Sequence, residues 1–165
     1  MIRRRYFQEI LATALVAFLS GSVVGTQIFV RDQAPTARAA RVSFAELNTI
    51  VGEMDRDERT TVRLLEAGSY NVNIRRIRGG ETALRHPRTT DVYVVREGSG
   101  TLVTGGRIVD DQGRVVDGQR GAGITGGVEE RIGVGDVVFI PAGVPHGIRE
   151  TEGITWFNIR FDTGQ

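Results

Sequence analysis

Apolar and polar residues change rhythm three times along this chain. From Ile10 to Val30 no charge interrupts the sequence, Arg3, Arg4 and Arg5 stand before it, and the small-residue tract Ala37-Arg38-Ala39 follows it. This is the layout of an export segment: a basic start, an apolar run and a candidate cleavage site. The run also reaches the roughly 20 residues that span a bilayer, so an uncleaved anchor with its basic end inside is the alternative to cleavage. A polar linker from Arg31 to Arg41 then separates it from the rest. In the second rhythm Phe44, Leu47, Ile50, Val51 and Met54 fall at helical spacing behind Ser43, with Glu46 placed to complete a capping box, which predicts a peripheral helix over 43–54. In the third, period two takes over. Val62 and Leu64, then Tyr70, Val72 and Ile74, then the run Val92 to Val95, and more weakly Thr101 to Thr104, predict strands. Gly79-Gly80, Gly98, Gly100, Gly105-Gly106 and Gly118 punctuate them as turns, so the expected class is all-β, a sandwich or barrel. The Gly-rich stretch 105–133 has no clear period and is expected to be an extended surface hairpin, with a lid or an oligomer contact as the alternative.

Composition narrows the partners. With 21 basic and 20 acidic residues the net charge is +1, which gives no field for nucleic acid. The chain has no Cys, so disulfides and thiolate sites are out and a metal would rest on nitrogen and oxygen ligands. At 165 residues one folded domain is expected: 1–40 as signal peptide or membrane anchor plus linker, 41–165 as the domain.

Chemistry concentrates in Gly135-Asp136-Val137-Val138-Phe139-Ile140-Pro141-Ala142-Gly143-Val144-Pro145-His146. Gly135-Asp136 turns into an apolar strand, Pro141 ends it, Gly143 permits a reversal, and His146 is returned toward the interior. The segment resembles the second motif of the cupin family, in which Gly, Pro, Gly and His recur at these intervals. The first cupin motif ends in a Gly, matched by Gly98; counting back places Asp91 where the family has Glu, His86 at its second His, and Leu84 at its first. Arg4-Arg5-Tyr6-Phe7 is similar to a twin-arginine export signal.

The cupin resemblance implies a double-stranded β-helix, or jelly-roll barrel, from about Tyr70 to Phe161. It implies a divalent metal (iron, manganese, zinc or nickel) on His86, Asp91 and His146, the only two histidines of the chain and one carboxylate. It also implies a small-molecule ligand and pairing into a homodimer, to which the outward Val92 and Val94 and the Phe157, Ile159, Phe161 face would contribute. Period two turns Tyr93 inward with Asp91, which makes it a candidate proton donor, and Glu150, four residues past His146, is the second acid-base candidate. Arg75, Arg85 and Arg88 near the first motif, with Trp156 and Asn158 on one face of the last strand, are the candidate binders of a polar or acidic substrate. Two functions follow: a metal-dependent enzyme of oxygenase, isomerase or lyase type, or a non-catalytic binding or sensor domain, which Leu84 favours. Either would be exported, periplasmic or extracellular.

Overall fold

The computed structural model describes residues 39–163. The chain runs through α1 (Phe44–Arg56), β1 (Thr61–Ala67), β2 (Tyr70–Gly79), β3 (Ala83–Leu84), β4 (Thr89–Glu97), β5 (Ser99–Thr104) and β6 (Arg107–Val109). It continues through β7 (Arg120–Gly121), β8 (Gly123–Thr125), β9 (Val128–Gly133), β10 (Val137–Ile140), β11 (His146–Arg149) and β12 (Thr151–Asp162).

Strands β1-β2-β12-β4-β10 form one sheet and β7-β3-β11-β5-β9 a second, both antiparallel, with β6-β8 as a separate ribbon. The inner faces meet in a core of Ile77, Tyr93, Val95, Leu102, Ile132, Ile140, Ile148, Ile154 and Trp156. Alternation builds that core: along β4, Asp91, Tyr93 and Val95 are buried while Val92 and Val94 are half-buried on the other face. The all-β expectation and the barrel are thus met, with one short helix.

Helix α1 begins where the capping box lies. The Glu46 amide donates to Ser43 Oγ (3.2 Å), and the Ser43 amide donates to the Glu46 carboxylate (2.6 Å). Its apolar stripe, Leu47, Ile50, Val51 and Met54, packs on Val62, Leu64 and Ile74 outside the first sheet, with Phe157 against the same cluster. At its far end Asp55 accepts from Arg76 (2.6 Å) and pairs with Arg78 (3.0 Å), clamping helix to sheet. These guanidiniums hold the Asp55 carboxyl below the ordinary carboxylate range, the hydrogen bond from Arg76 contributing most.

Two expectations need correction. Residues 105–133 are not one surface hairpin: β9 joins the second sheet beside β5, and β7 joins it beside β3. The signal was hidden because β9 is an edge strand whose Glu129, Glu130 and Arg131 are solvated and only Ile132 is buried. Nor is this segment loosely packed, since a Cβ on Gly121 would run into the Ile108 side chain and the Val109 carbonyl. Second, the Phe157, Ile159, Phe161 face is not open along its length, because Phe157 lies under α1; the large apolar side chains exposed beside it are Val137, Phe139 and Phe161.

Among the described residues no helix is long and apolar enough to cross a membrane. The 10–30 stretch, the arginine-rich start and nearly all of the linker lie outside the described residues.

Candidate metal centre and its cavity

The second motif folds as its residue types dictate. Strand β10 stops at Pro141, Gly143 takes φ +82°, where a side chain would be strained, and His146 enters β11 with 1 % exposure. The Gly143 amide donates to the His86 carbonyl (2.8 Å), so the turn of one motif is tied to the histidine of the other. Leu84 pairs with His146 across β3 and β11, and Asp91 lies in β4 between Ile140 of β10 and Arg160 of β12.

His86, Asp91 and His146 converge: their ligand atoms all lie within 4.8 Å of one another, a group able to hold a metal ion. Each histidine Nε2 is 3.9 Å from Asp91 Oδ2. His146 Nδ1 sits 2.9 Å from the Val144 carbonyl, which can only accept, so Nδ1 carries a proton, and the tautomer this selects turns the Nε2 lone pair to the site. Arg160 Nε donates to Asp91 Oδ1 (2.8 Å), and its Nη2 lies 3.2 Å from His86 Nε2. Asp91 Oδ2 and His146 Nε2, both buried, are left without a hydrogen-bond partner.

Two acceptors facing each other in a buried space are costly unless a cation stands between them. The donor set, two imidazoles and a carboxylate, suits a divalent transition ion with positions left for water or substrate. The protonation state agrees. Burial, and after it the Arg160 charge, push the His86 imidazole down to about 4, against a smaller opposing pull from Asp91. Its ring is therefore neutral and able to ligate at physiological pH.

Beside this group lies a cavity of about 360 Å³ lined by Arg75, Glu81, Leu84, His86, Arg120 and Arg160, among others. Arg75 pairs with Glu81 (2.6 Å) and lies 5.2 Å from the centre of the Trp156 ring. Trp156, Asn158 and Tyr93 are wholly buried and do not line it. Trp156 Nε1, both polar atoms of the Asn158 amide and the Tyr93 hydroxyl have no hydrogen-bond partner. The Tyr93 ring meets His146 edge-on at 6.3 Å, and burial raises its phenol well above 10.

Three sequence candidates do not come to the site. Glu150 is exposed in the turn between β11 and β12, at φ +55°, accepting from Thr101 (2.9 Å). Arg88 points to solvent with its side chain 62 % exposed beside Asp162, and Arg85 is directed to Asp117. In their place stand Glu81, Arg120 and Arg160. Arg160 was within reach of the alternation that put Trp156 and Asn158 on one face; Arg120 sits in a stretch without periodicity.

Comparison with known proteins adds the fold. No protein-family model and no curated protein sequence matches the chain. Among solved structures, BH2720 of Bacillus halodurans is 20 % identical, with 81 % of this chain and 87 % of that one covered and a TM-score of 0.53. The fold is a double-stranded β-helix, two antiparallel sheets facing each other over one core. A Klebsiella pneumoniae protein with a double-stranded β-helix domain is 16 % identical over 63 % of this chain and 72 % of its own, at TM-score 0.46. A cupin 2 conserved barrel domain protein from Salinispora arenicola is 14 % identical over 62 % and 74 %, at 0.43. At these identities the likeness concerns the fold alone.

Proposed function

We propose that this cupin domain binds one divalent metal ion through His86, Asp91 and His146 and acts on a small acidic organic molecule held in the adjoining cavity. The observation that carries the reading is the pair of buried, unpartnered acceptors, Asp91 Oδ2 and His146 Nε2, aimed at one point. A bound ion supplies Lewis-acid polarisation of a substrate oxygen. The chain's own groups do the rest. Arg160 orients Asp91 by occupying its other oxygen, Arg75 offers positive charge to the ligand, and the Tyr93 hydroxyl, kept protonated by burial, serves as a hydrogen-bond donor beside His146. Trp156 positions the ligand only indirectly, through the Arg75 guanidinium that lies over its ring, and Asn158 through its place beside Tyr93 in the same sheet. Metal analysis of the purified protein, followed by oxygen uptake with and without iron(II), tests the reading; protein that takes up no divalent ion at neutral pH refutes it.

A second reading, a non-catalytic binding domain, is favoured by Leu84 at a ligand position and by Arg160 holding two of the three ligand groups. Metal uptake without turnover or oxygen uptake on any candidate acid would select it. The basic start and uncharged stretch support export to the periplasm or beyond, with cleavage near Ala40 or retention by residues 10–30. The same domain is proposed to pair as a homodimer along the β10 edge, where Val137 and Phe139 are about two-thirds exposed at 67 % and 66 %.

A further inference from the structure

The segment 105–133 leaves the barrel after β5, forms the β6-β8 ribbon, and on the way adds β7 to the edge of β3. Arg120 is the residue it delivers. In the second sheet Arg120 is paired with Leu84, and Leu84 with His146, so these three stand in one row across β7, β3 and β11 and share its inward face. Three arginines line the cavity against one carboxylate, Glu81. Arg75 is matched by Glu81 and Arg160 by Asp91. Arg120 is exposed and has no acidic partner among the described residues. An uncompensated cation lining the same cavity as His86, the half-buried member of the metal-binding group, is arranged for a ligand with two separated charges.

We infer that Arg120 binds the distal carboxylate of a dicarboxylate substrate whose other end lies at His86, Asp91 and His146. This deepens the proposed function and rests on it for the inner end only. Two strand spacings, about 10 Å, separate the backbones of Arg120 and His146; with both side chains reaching over Leu84, an acid of about four to six carbons fits between them. Leu84 is then the apolar contact for the methylene chain, and the 105–133 segment is the arm that selects substrate length and charge.

The test is calorimetric titration at fixed ionic strength with succinate, glutarate and adipate, each against the monoacid of equal length, butyrate, valerate and caproate. Wild type, Arg120→Gln and Arg85→Gln are compared, each metal-free and zinc-loaded. At least one diacid binds wild type and loses about tenfold or more in Arg120→Gln, while its monoacid partner changes little and Arg85→Gln matches wild type. Zinc content stays the same in all three. Equal diacid affinity in wild type and Arg120→Gln overturns the inference. So does an equal loss for diacid and monoacid, a loss as large in Arg85→Gln, or no diacid binding in either metal state. Failure of zinc to bind refutes the metal centre, while discrimination between diacid and monoacid in the metal-free protein still decides Arg120.

Discussion

Asp91 divides its two oxygens between two tasks: Oδ1 accepts from Arg160, and Oδ2 faces both histidines. Removing either imidazole leaves one nitrogen and one carboxylate, too few for tight binding, so His86→Ala and His146→Ala are each expected to lose most bound metal by elemental analysis. Leu84 offers the complementary change. It lines the cavity with His86 and is paired with His146, so Leu84→His should add an imidazole and tighten metal binding about tenfold, roughly 1.4 kcal/mol, with a changed spectrum for the cobalt-substituted protein. A lower melting temperature with unchanged metal affinity would count against that geometry. Protons report on the same group. The His86 value of about 4 lies below its ordinary 6.5, so the neutral ring contributes stability that is full above pH 6.5 and is lost as pH falls toward 4. Metal-free protein should therefore show a falling melting temperature across that window, and His86→Gln should flatten it.

At the scale of elements, the helix and the strands around the motifs were legible in the sequence for local reasons. Ser43 and Glu46 carry their own hydrogen-bonding instructions, and Asp91, Tyr93 and Val95 alternate cleanly with Val92 and Val94. Ser43→Ala should cost about 1 kcal/mol in denaturant unfolding, since it removes the side-chain oxygen that caps the helix. Asp55→Asn should weaken the clamp on Arg76 and Arg78 by about 1 kcal/mol or less. Because the Asp55 value is lowered, that difference is present above pH 3.8 and vanishes as acid protonates the wild-type carboxyl. What stayed hidden depends on contacts distant in sequence. Strand β9 has one buried apolar residue, β7 is only two residues long, and Arg120 gains its meaning from pairing with Leu84. Glu150 was misplaced because counting from His146 ignored the left-handed turn at Glu150 itself, which carries its side chain to Thr101.

For the whole molecule, the expected assembly and destination can be checked together. Sedimentation of residues 41–165 should give a dimer, and Phe139→Asp on the exposed β10 face should shift it to monomer without loss of metal; a monomeric wild type at high concentration rejects the pairing. Fractionation of the full chain should recover the domain outside the inner membrane. The order of synthesis adds a constraint of its own. The last long strand, β12, lies between β2 and β4, with Phe161 paired to Tyr70 and Arg160 to Asp91. Until it emerges from the ribosome, β2 and β4 each keep an open edge, and Asp91 lacks its guanidinium. A nascent chain therefore has no finished binding centre to load, and folding must wait for β12, a long-range closure that makes it slow. Premature termination near Glu150 would leave two sticky strand edges and a buried carboxylate without a counterion, so the truncated product should aggregate or be degraded rather than persist as a weaker version of the same protein.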